Sequence, residues 1–212
     1  EELLRAARAV AALLGQLPGL PDTGPVFVAG LGNRQMTPDA IGPKTTDLLH
    51  ITRHLVENLP EDFPGFRPVA ALAPGVTGTT GVETGELLAG VLQTIRPACL
   101  IAVDALAARR QERVCRTIQV SNTGIVPGSG VGSHRTAVDR ETVGVPVIAV
   151  GVPTVIDGAA LGSGTEAAPQ GLYVTPRDID RQVRQLGRLL GYGISLALQP
   201  GLTAEELAAL AE

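Results

Sequence analysis

Short apolar runs that recur between helical patterns constrain the fold of this 212-residue chain more than any other feature. The runs have no polar interruption and occupy residues 26–31, 68–73, 99–103 and 145–150. A strand that is apolar on both faces must be covered on both faces, which is typical of a parallel sheet between helices. The pattern therefore predicts a three-layer α/β fold, with a mostly parallel sheet and helices on both faces. The length suits one domain over 1–212.

Helical spacing predicts the elements between and around these strands. An N-terminal helix is predicted over 3–17, within the segment 1–20, and a second helix from Thr37, as N-cap, to about Asn58. Further helices are predicted over 82–95, from Asp104, from Thr175-Pro176, and over 203–211 with a capping box of Thr203 and Glu206. The last two make up a helical C-terminal region, 176–212. Alternating residues over 114–120 predict an edge or antiparallel strand.

Charge and composition exclude several classes of protein. With 17 basic against 21 acidic residues the net charge is −4, so the chain lacks the basic surface of a direct nucleic-acid binder. No apolar run reaches the roughly 18 residues of a membrane span, and we expect a cytoplasmic protein. Two cysteines, Cys99 and Cys115, are expected to be buried thiols. The positive mean hydropathy of +0.22 favours a homo-oligomer.

Two acidic residues follow predicted strands at the edge where α/β sheets bind ligands. Asp39 lies shortly after the first run, and Asp104 ends the run 99–103. Each has an ordinary explanation, because an acid in the first turn of a helix complements the helix dipole. Together they also predict a shared site in which the pKa of one carboxyl rises, giving a general base and a general acid.

Other candidate sites are weaker. The glycine-rich segments 75–81 and 128–132 match neither a Walker A loop nor a dinucleotide fingerprint. The first either holds an anion, an oxyanion or substrate backbone, or is a tight turn. His50 and His54 have metal-ligand spacing but lack a third ligand and a zincin glutamate. We therefore expect no metal and no cofactor.

Several ordered motifs resemble the germination protease family of spore-forming bacteria. One of them is Ala-Val-Asp-Ala-Leu-Ala-Ala-Arg at 102–109. The others lie at 31–33, 37–43, 52–55, 71–76, 80–84, 123–125, 127–132 and 144–155. The resemblance runs from residue 26 to about 198, so it covers most of the chain.

This resemblance implies a single peptidase-like domain with a fold similar to that of the hydrogenase maturation endopeptidases. It implies an aspartic endopeptidase that cleaves small acid-soluble spore proteins during germination. The family is made as a zymogen, assembles as a tetramer and acts in the spore core. The two essential acids of the family match Asp39 and Asp104. Residues expected to support the site or bind substrate are Asn33, Gly75, Thr77, Gly78 and Arg109.

Two other functions stay open at this point. One is a metal-dependent endopeptidase of the maturation type, in which His134 would join the acids as a ligand. The other is a shortened, non-catalytic sporulation paralogue that binds protein. The chain looks shorter than usual family members at both ends and over 157–172.

Overall fold

The computed structural model describes residues 1–132, 135–161 and 171–210. Its strands are β1 (Val26–Leu31), β2 (Val69–Gly75), β3 (Cys99–Ala108), β4 (Gln119–Ser121), β5 (Val147–Asp157) and β6 (Tyr173–Val174). Its helices are α1 (Glu2–Gly15), α2 (Ile41–Thr46), α3 (Arg53–Asn58), α4 (Thr77–Thr80), α5 (Thr84–Ile95), α6 (Arg140–Val143), α7 (Ile179–Leu198) and α8 (Ala204–Leu210). Short 3₁₀ turns include Thr37–Asp39 and Ser129–Val131.

The strands form one sheet in the order β2-β1-β3-β5-β4, with β6 paired to β5. The four strands β2, β1, β3 and β5 are parallel, whereas β4 and β6 run antiparallel to β5. The predicted mostly parallel sheet is therefore confirmed. Its central strand is β3, which has β1 on one side and β5 on the other.

Both faces of the sheet are covered, because alternate residues of each strand enter opposite hydrophobic clusters. One cluster joins Val28, Ile101 and Ile148 to apolar residues of α1, α2 and α7. The other joins Phe27 and Leu100 to residues of α5 and α6. Fully burying each large aliphatic side chain contributes roughly 1.5–3 kcal/mol. Because the two clusters lie on opposite faces of the sheet, the apolar runs are buried from both sides, which confirms the three layers.

The predicted helix from Thr37 to Asn58 is wrong as a single element. The chain forms the 3₁₀ turn, then α2, then α3. Between the two helices, Thr52 leaves the helical path to bond beside β2: its N–H donates to Val69 O (3.1 Å), and its hydroxyl accepts from Val69 N–H (3.0 Å). Pairing with the sheet has replaced helical bonds there. Thr37 is not an N-cap either, since Met36 precedes the turn.

The predicted short helix from Asp104 is also wrong, because β3 continues to Ala108. Partners on β5 accompany it along the whole extension, from Leu100 opposite Val147 to Ala108 opposite Ile156. The helix propensity of the Ala-Leu-Ala-Ala stretch is overridden by these strand partners. Asp104 is thus a strand residue in the middle of the sheet and not a helix cap.

Boundaries at the C-terminal side differ from prediction by a few residues. The long helix α7 begins at Ile179, because the Thr175 hydroxyl donates to Thr154 O on β5 (2.9 Å) and does not cap the helix. Before α8 the predicted capping box is present, with Thr203 N–H donating to Glu206 Oε2 (2.7 Å). The predicted strand over 114–120 is reduced to β4, which is antiparallel as expected.

Two smaller expectations can be compared with the described residues. Cys99 and Cys115 are both buried and free of disulfides, as predicted. None of the helices in the described part of the chain is long and apolar enough to cross a bilayer.

Candidate active site

Asp104 lies at the point where the central strand β3 loses one of its neighbours. Its side chain is only 3% exposed. One carboxylate oxygen, Oδ1, accepts the N–H of Ala105 (2.9 Å). The other, Oδ2, is buried and has no hydrogen-bond partner among the described residues. A buried oxygen without a partner favours the protonated carboxyl, because ionisation would leave an unsolvated charge.

Asp39 ends the 3₁₀ turn that follows β1, and its carboxylate faces back toward the strand. Its Oδ2 accepts the N–H of Asn33 (2.7 Å), while its own N–H donates to Met36 O (2.8 Å). The turn is also fastened to α7, since the Thr37 hydroxyl donates to Asp180 Oδ1 (3.1 Å). Asp39 is half-buried, and both its carboxylate and its own N–H are bonded to main-chain groups.

Glycines allow the segment that carries Asp39 to lie directly on the sheet. Gly32 has a φ of +108°, and a Cβ there would overlap the backbone carbonyl oxygen of Asp39. A Cβ at Gly42, in α2, would overlap the backbone of Leu31 and stand 2.5 Å from Val103 O. Any side chain at either position would push the Asp39 segment away from β1 and β3.

Both carboxyl groups line one cavity of about 440 Å³ at the carboxyl ends of β1 and β3. Apolar residues form most of its wall, among them Leu31, Met36, Val76, Leu106, Val131 and Tyr173. Arg135 is the described cation that lines it. This is the edge of a parallel sheet at which α/β proteins bind their ligands.

The surroundings of the two acids raise the pKa of each. Burial is the main cause at Asp104, and the nearby charge of Asp39 adds to it, so that the pKa of Asp104 rises to about 7; the Ala105 N–H and Arg135 oppose this. Burial also raises the pKa of Asp39, against the Asn33 N–H and the charge of Arg135. Near neutral pH the pair can therefore hold a proton on Asp104 while Asp39 is ionised.

Comparison with known families adds evidence that geometry cannot supply. The sequence model of the germination protease family matches residues 5–168. The chain belongs to this family. Germination protease of Clostridium perfringens strain SM101 is 40% identical to it over 93% of this chain and 73% of the relative. That match is 237 positions long, more than the 212 residues here, so the relative carries internal residues that this chain lacks.

Other germination proteases match shorter shares of their own length. The enzyme of Priestia megaterium is 45% identical over 89% of this chain and 50% of the relative. That of Bacillus pumilus is 52% identical over 69% of this chain and 40% of the relative. Among solved structures, the NiFe hydrogenase maturation protease HycI from Thermococcus kodakarensis KOD1 matches with a TM-score of 0.45 and 16% identity, covering 86% of this chain and 98% of that one.

Of the germination-protease residues expected at the site, the fold gathers three in the cavity. Asn33 lines it beside Asp39 and Asp104. The segment 75–81 contributes Val76, whereas Gly75, Thr77 and Gly78 are not among the lining residues. The Thr77 hydroxyl instead donates to Glu83 Oε1 (3.1 Å). Arg109 lies in a separate cavity, with Arg110 and Arg113.

Sequence reasoning missed Arg135 and much of the cavity wall. Arg135 follows a glycine-rich segment without any spacing that relates it to the two acids. Thr154 and Tyr173 come from β5 and β6, far along the chain, and only the sheet brings them to the cavity. The nearest sequence indication was the glycine-rich segment 128–132, of which Gly128, Gly130 and Val131 line the cavity.

The histidines do not enter this cavity in the described part of the chain. His50 lies at another cavity, beside Ser195, whose hydroxyl accepts the His50 N–H (2.9 Å). Within residues 1–132, 135–161 and 171–210 no group of three His, Cys, Asp or Glu is placed to hold a metal. His134 lies outside the described residues.

Proposed function

We propose that this chain is an endopeptidase that cleaves small acid-soluble spore proteins during germination, with Asp39 and Asp104 activating water. The observation that carries the proposal is the unequal pair of carboxyl groups on one cavity. Asp39 accepts a main-chain N–H, whereas Asp104 keeps a buried, unpartnered oxygen. Membership of the germination protease family supports a protein substrate.

The two acids divide the proton transfers of peptide hydrolysis. Ionised Asp39 takes a proton from the attacking water as the new C–O bond forms, while protonated Asp104 donates to the carbonyl oxygen. As the C–N bond breaks, Asp39 passes the proton taken from water to the leaving nitrogen. The hydroxyl that received the Asp104 proton returns it as the C=O bond re-forms, so both acids regain their starting states. A carboxyl whose pKa lies near 7 suits the role of Asp104, because it still holds its proton at neutral pH.

Supporting residues complete the proposed site. Asn33 fixes Asp39 through its N–H, and its position on the cavity wall also lets it contact substrate. For Gly75, Thr77, Gly78 and Arg109 we propose supporting roles only, because they do not line the cavity. We further propose, from the resemblance, that the chain acts in the spore core and arises from a zymogen. We also propose that it assembles as a homo-oligomer, which the exposed apolar Leu172, Tyr173 and Val174 support.

Digestion of a purified small acid-soluble spore protein tests this function. The chain should cut it into fragments, and Asp39→Asn and Asp104→Asn should each slow cutting by about 10²–10⁴-fold. Asp62→Asn is the matched control, because Asp62 is exposed and distant in sequence from both acids. Undiminished cleavage by both site variants would end the two-aspartate mechanism.

Two further arms separate the rival functions. Loss of cleavage in a chelator, restored by added metal, would favour the metal-dependent endopeptidase. Stoichiometric binding of the spore protein without any turnover would favour the non-catalytic paralogue. Cleavage that is insensitive to chelator supports the aspartate pair.

A further inference from the structure

Strand β3 is paired over unequal lengths on its two sides. On the β1 side its partners end with Gly30 opposite Val103, whereas on the β5 side they reach Ala108 opposite Ile156. After Gly30 the chain leaves the ladder with β3, and at Gly32 it turns with a φ of +108°. Residues 105–108 of β3 therefore form an extension with strand partners on one side only.

The directions of the backbone N–H and C=O groups show which of them have no strand partner along this extension. Leu100 N–H donates to Pro146 O, on the β5 side. Successive peptide groups of a strand point to opposite sides, so Ala105 directs its N–H and C=O toward the side that β1 has left. Its N–H bonds to Asp104 Oδ1. Outside the sheet ladders no backbone N–H of the described residues donates to its C=O, and Ala105 lines the cavity.

The cavity of the candidate site runs along this open side. Asp104, Ala105, Leu106 and Ala107 all line it, and Met36 and Pro38, from the segment that follows β1, line it as well. The alanine side chains leave room next to the strand. The volume of about 440 Å³ is within the range of sites that enclose a ligand.

We propose that the main chain of the substrate binds as an added strand along residues 105–108 of β3, with the scissile peptide bond over Asp39 and Asp104. Addition of an extended peptide to an open strand edge uses main-chain bonds for affinity, which suits a protein substrate. The extension is only four residues long, so the added ladder is short. This inference rests on the proposed function for the identity of the substrate.

A backbone N-methyl scan tests the added strand. The probe is a synthetic peptide that spans the cleavage site mapped in the spore-protein digestion, or a set of overlapping spore-protein peptides if no cleavage occurs. Each peptide nitrogen is methylated in turn, which removes one N–H and leaves every side chain in place. Alternate positions should lose about fivefold to tenfold in affinity, because alternate N–H groups of an added strand face β3. Losses without this period of two would overturn the proposal.

Gly130→Ala probes the same groove from the protein side. A Cβ at Gly130 would stand 2.8 Å from the Ala107 Cβ and 3.2 Å from the Ala107 nitrogen, so it should press on the β3 extension. We expect KM for the peptide to rise at least about fivefold, as for the loss of one hydrogen bond. Gly90→Ala is the matched control, because a Cβ there meets nothing within 4 Å. Equal KM values for the two variants would count against the groove.

Binding and cleavage are measured separately so that the two proposals can fail separately. Affinity is measured by fluorescence anisotropy with Asp104→Asn protein, and cleavage with the unsubstituted protein. A period of two in affinity without cleavage supports the added strand and overturns the endopeptidase function. Cleavage without a period of two in affinity supports the endopeptidase function and overturns the added strand. Absence of both binding and cleavage overturns both.

Discussion

The two carboxyl groups of the site are held by different kinds of structure. Asp39 sits at the end of a 3₁₀ turn, half-buried and bonded to the main chain. Asp104 sits on the central strand of the sheet, 3% exposed, with one oxygen unpartnered among the described residues. The loop residue is thus supplied with an N–H that favours its charge. The strand residue lacks any such group on one oxygen, and its raised pKa lets it keep its proton near neutral pH.

The contrast explains how two identical side chains can act differently in one cavity. Burial raises the pKa of both, but the charge of Asp39 raises that of Asp104 further. Two carboxylates that share a site titrate as a pair, so the protons belong to the pair as much as to either residue. Substitution of either acid, or of a group that contacts it, alters one member of the pair and leaves the other in place.

The largest effect is expected from removing either acid. Asp39→Asn and Asp104→Asn should each lower kcat/KM for a spore-protein peptide by about 10²–10⁴-fold, the usual contribution of a general acid or base. The double variant should be no worse than the worse single variant, because residues that act as a unit are not additive. Steady-state kinetics of the three variants check this. Losses that multiply would mean that the two acids work independently.

A substitution that displaces Asp39 without replacing it should lower activity by nearly as much. In Gly32→Ala the new Cβ overlaps the Asp39 carbonyl and the backbone is held at positive φ, so activity should fall about 100-fold through misplacement of the carboxylate. Stability should fall by about 1–3 kcal/mol from the strained backbone. Gly15→Ala is the control, since a Cβ there meets nothing within 4 Å. Full activity in a folded Gly32→Ala protein would show that the position of Asp39 is not critical.

The pH dependence of folding stability should distinguish Asp104, on the strand, from Asp39, in the 3₁₀ turn. The pKa of Asp104 is raised from 3.8 to about 7 in the folded protein, so its ionisation opposes folding. Folding stability should therefore fall as pH rises from about 4 to 7. Asp104→Asn removes this loss, and relative to wild type it should gain up to about 4 kcal/mol between pH 4 and pH 8. Urea unfolding at both pH values measures the gain.

The same experiment with Asp39→Asn should give a gain of the same sign. A larger gain for Asp39→Asn than for Asp104→Asn would reverse the assignment of the two acids. Asp62→Asn, at an exposed position, serves as the baseline for an Asp-to-Asn change.

The smallest effect is a shift in the pH dependence of activity. Burial raises the pKa of both acids and the charge of Arg135 opposes it, so Arg135→Gln should move both limbs of the kcat/KM profile to higher pH. Arg5→Gln, an exposed change on α1, should leave the profile in place. A profile that does not move in Arg135→Gln would show that Arg135 does not act on the pair.

The sequence predicted those parts of the fold that depend on burial along one strand or helix. Runs such as 26–31 are apolar on both faces, so their position in a covered sheet follows from local composition. The continuation of β3 past Asp104 depends on partners from β5, about fifty residues further along the chain. Locally, Ala105 to Ala108 favour a helix, and only the sheet shows that they are extended.

The candidate site likewise has residues that the local sequence predicts and residues that only the fold brings together. Asp39 and Asp104 could be predicted because each follows a recognisable apolar run, although Asp104 proves to lie within β3, and ligands of parallel sheets bind at the carboxyl edge. Arg135 and Tyr173 belong to segments without periodicity. Tyr173 reaches the cavity because β6 pairs with β5, and Arg135 reaches it from the segment between the 3₁₀ turn Ser129–Val131 and α6. Thr77 and Arg109 lie close in sequence to lining residues but face elsewhere.

Gly32 and Gly42 fix the distance between the two acids by contact of backbone with backbone. Repacking of side chains cannot easily adjust that distance, and a substrate is not needed to set it. Random mutagenesis for loss of activity should therefore return changes at these glycines as well as at the acids, although glycine has no side chain that could take part in the chemistry. In a distant relative, a side chain at either position would indicate that the two acids are displaced, even where both aspartates are present.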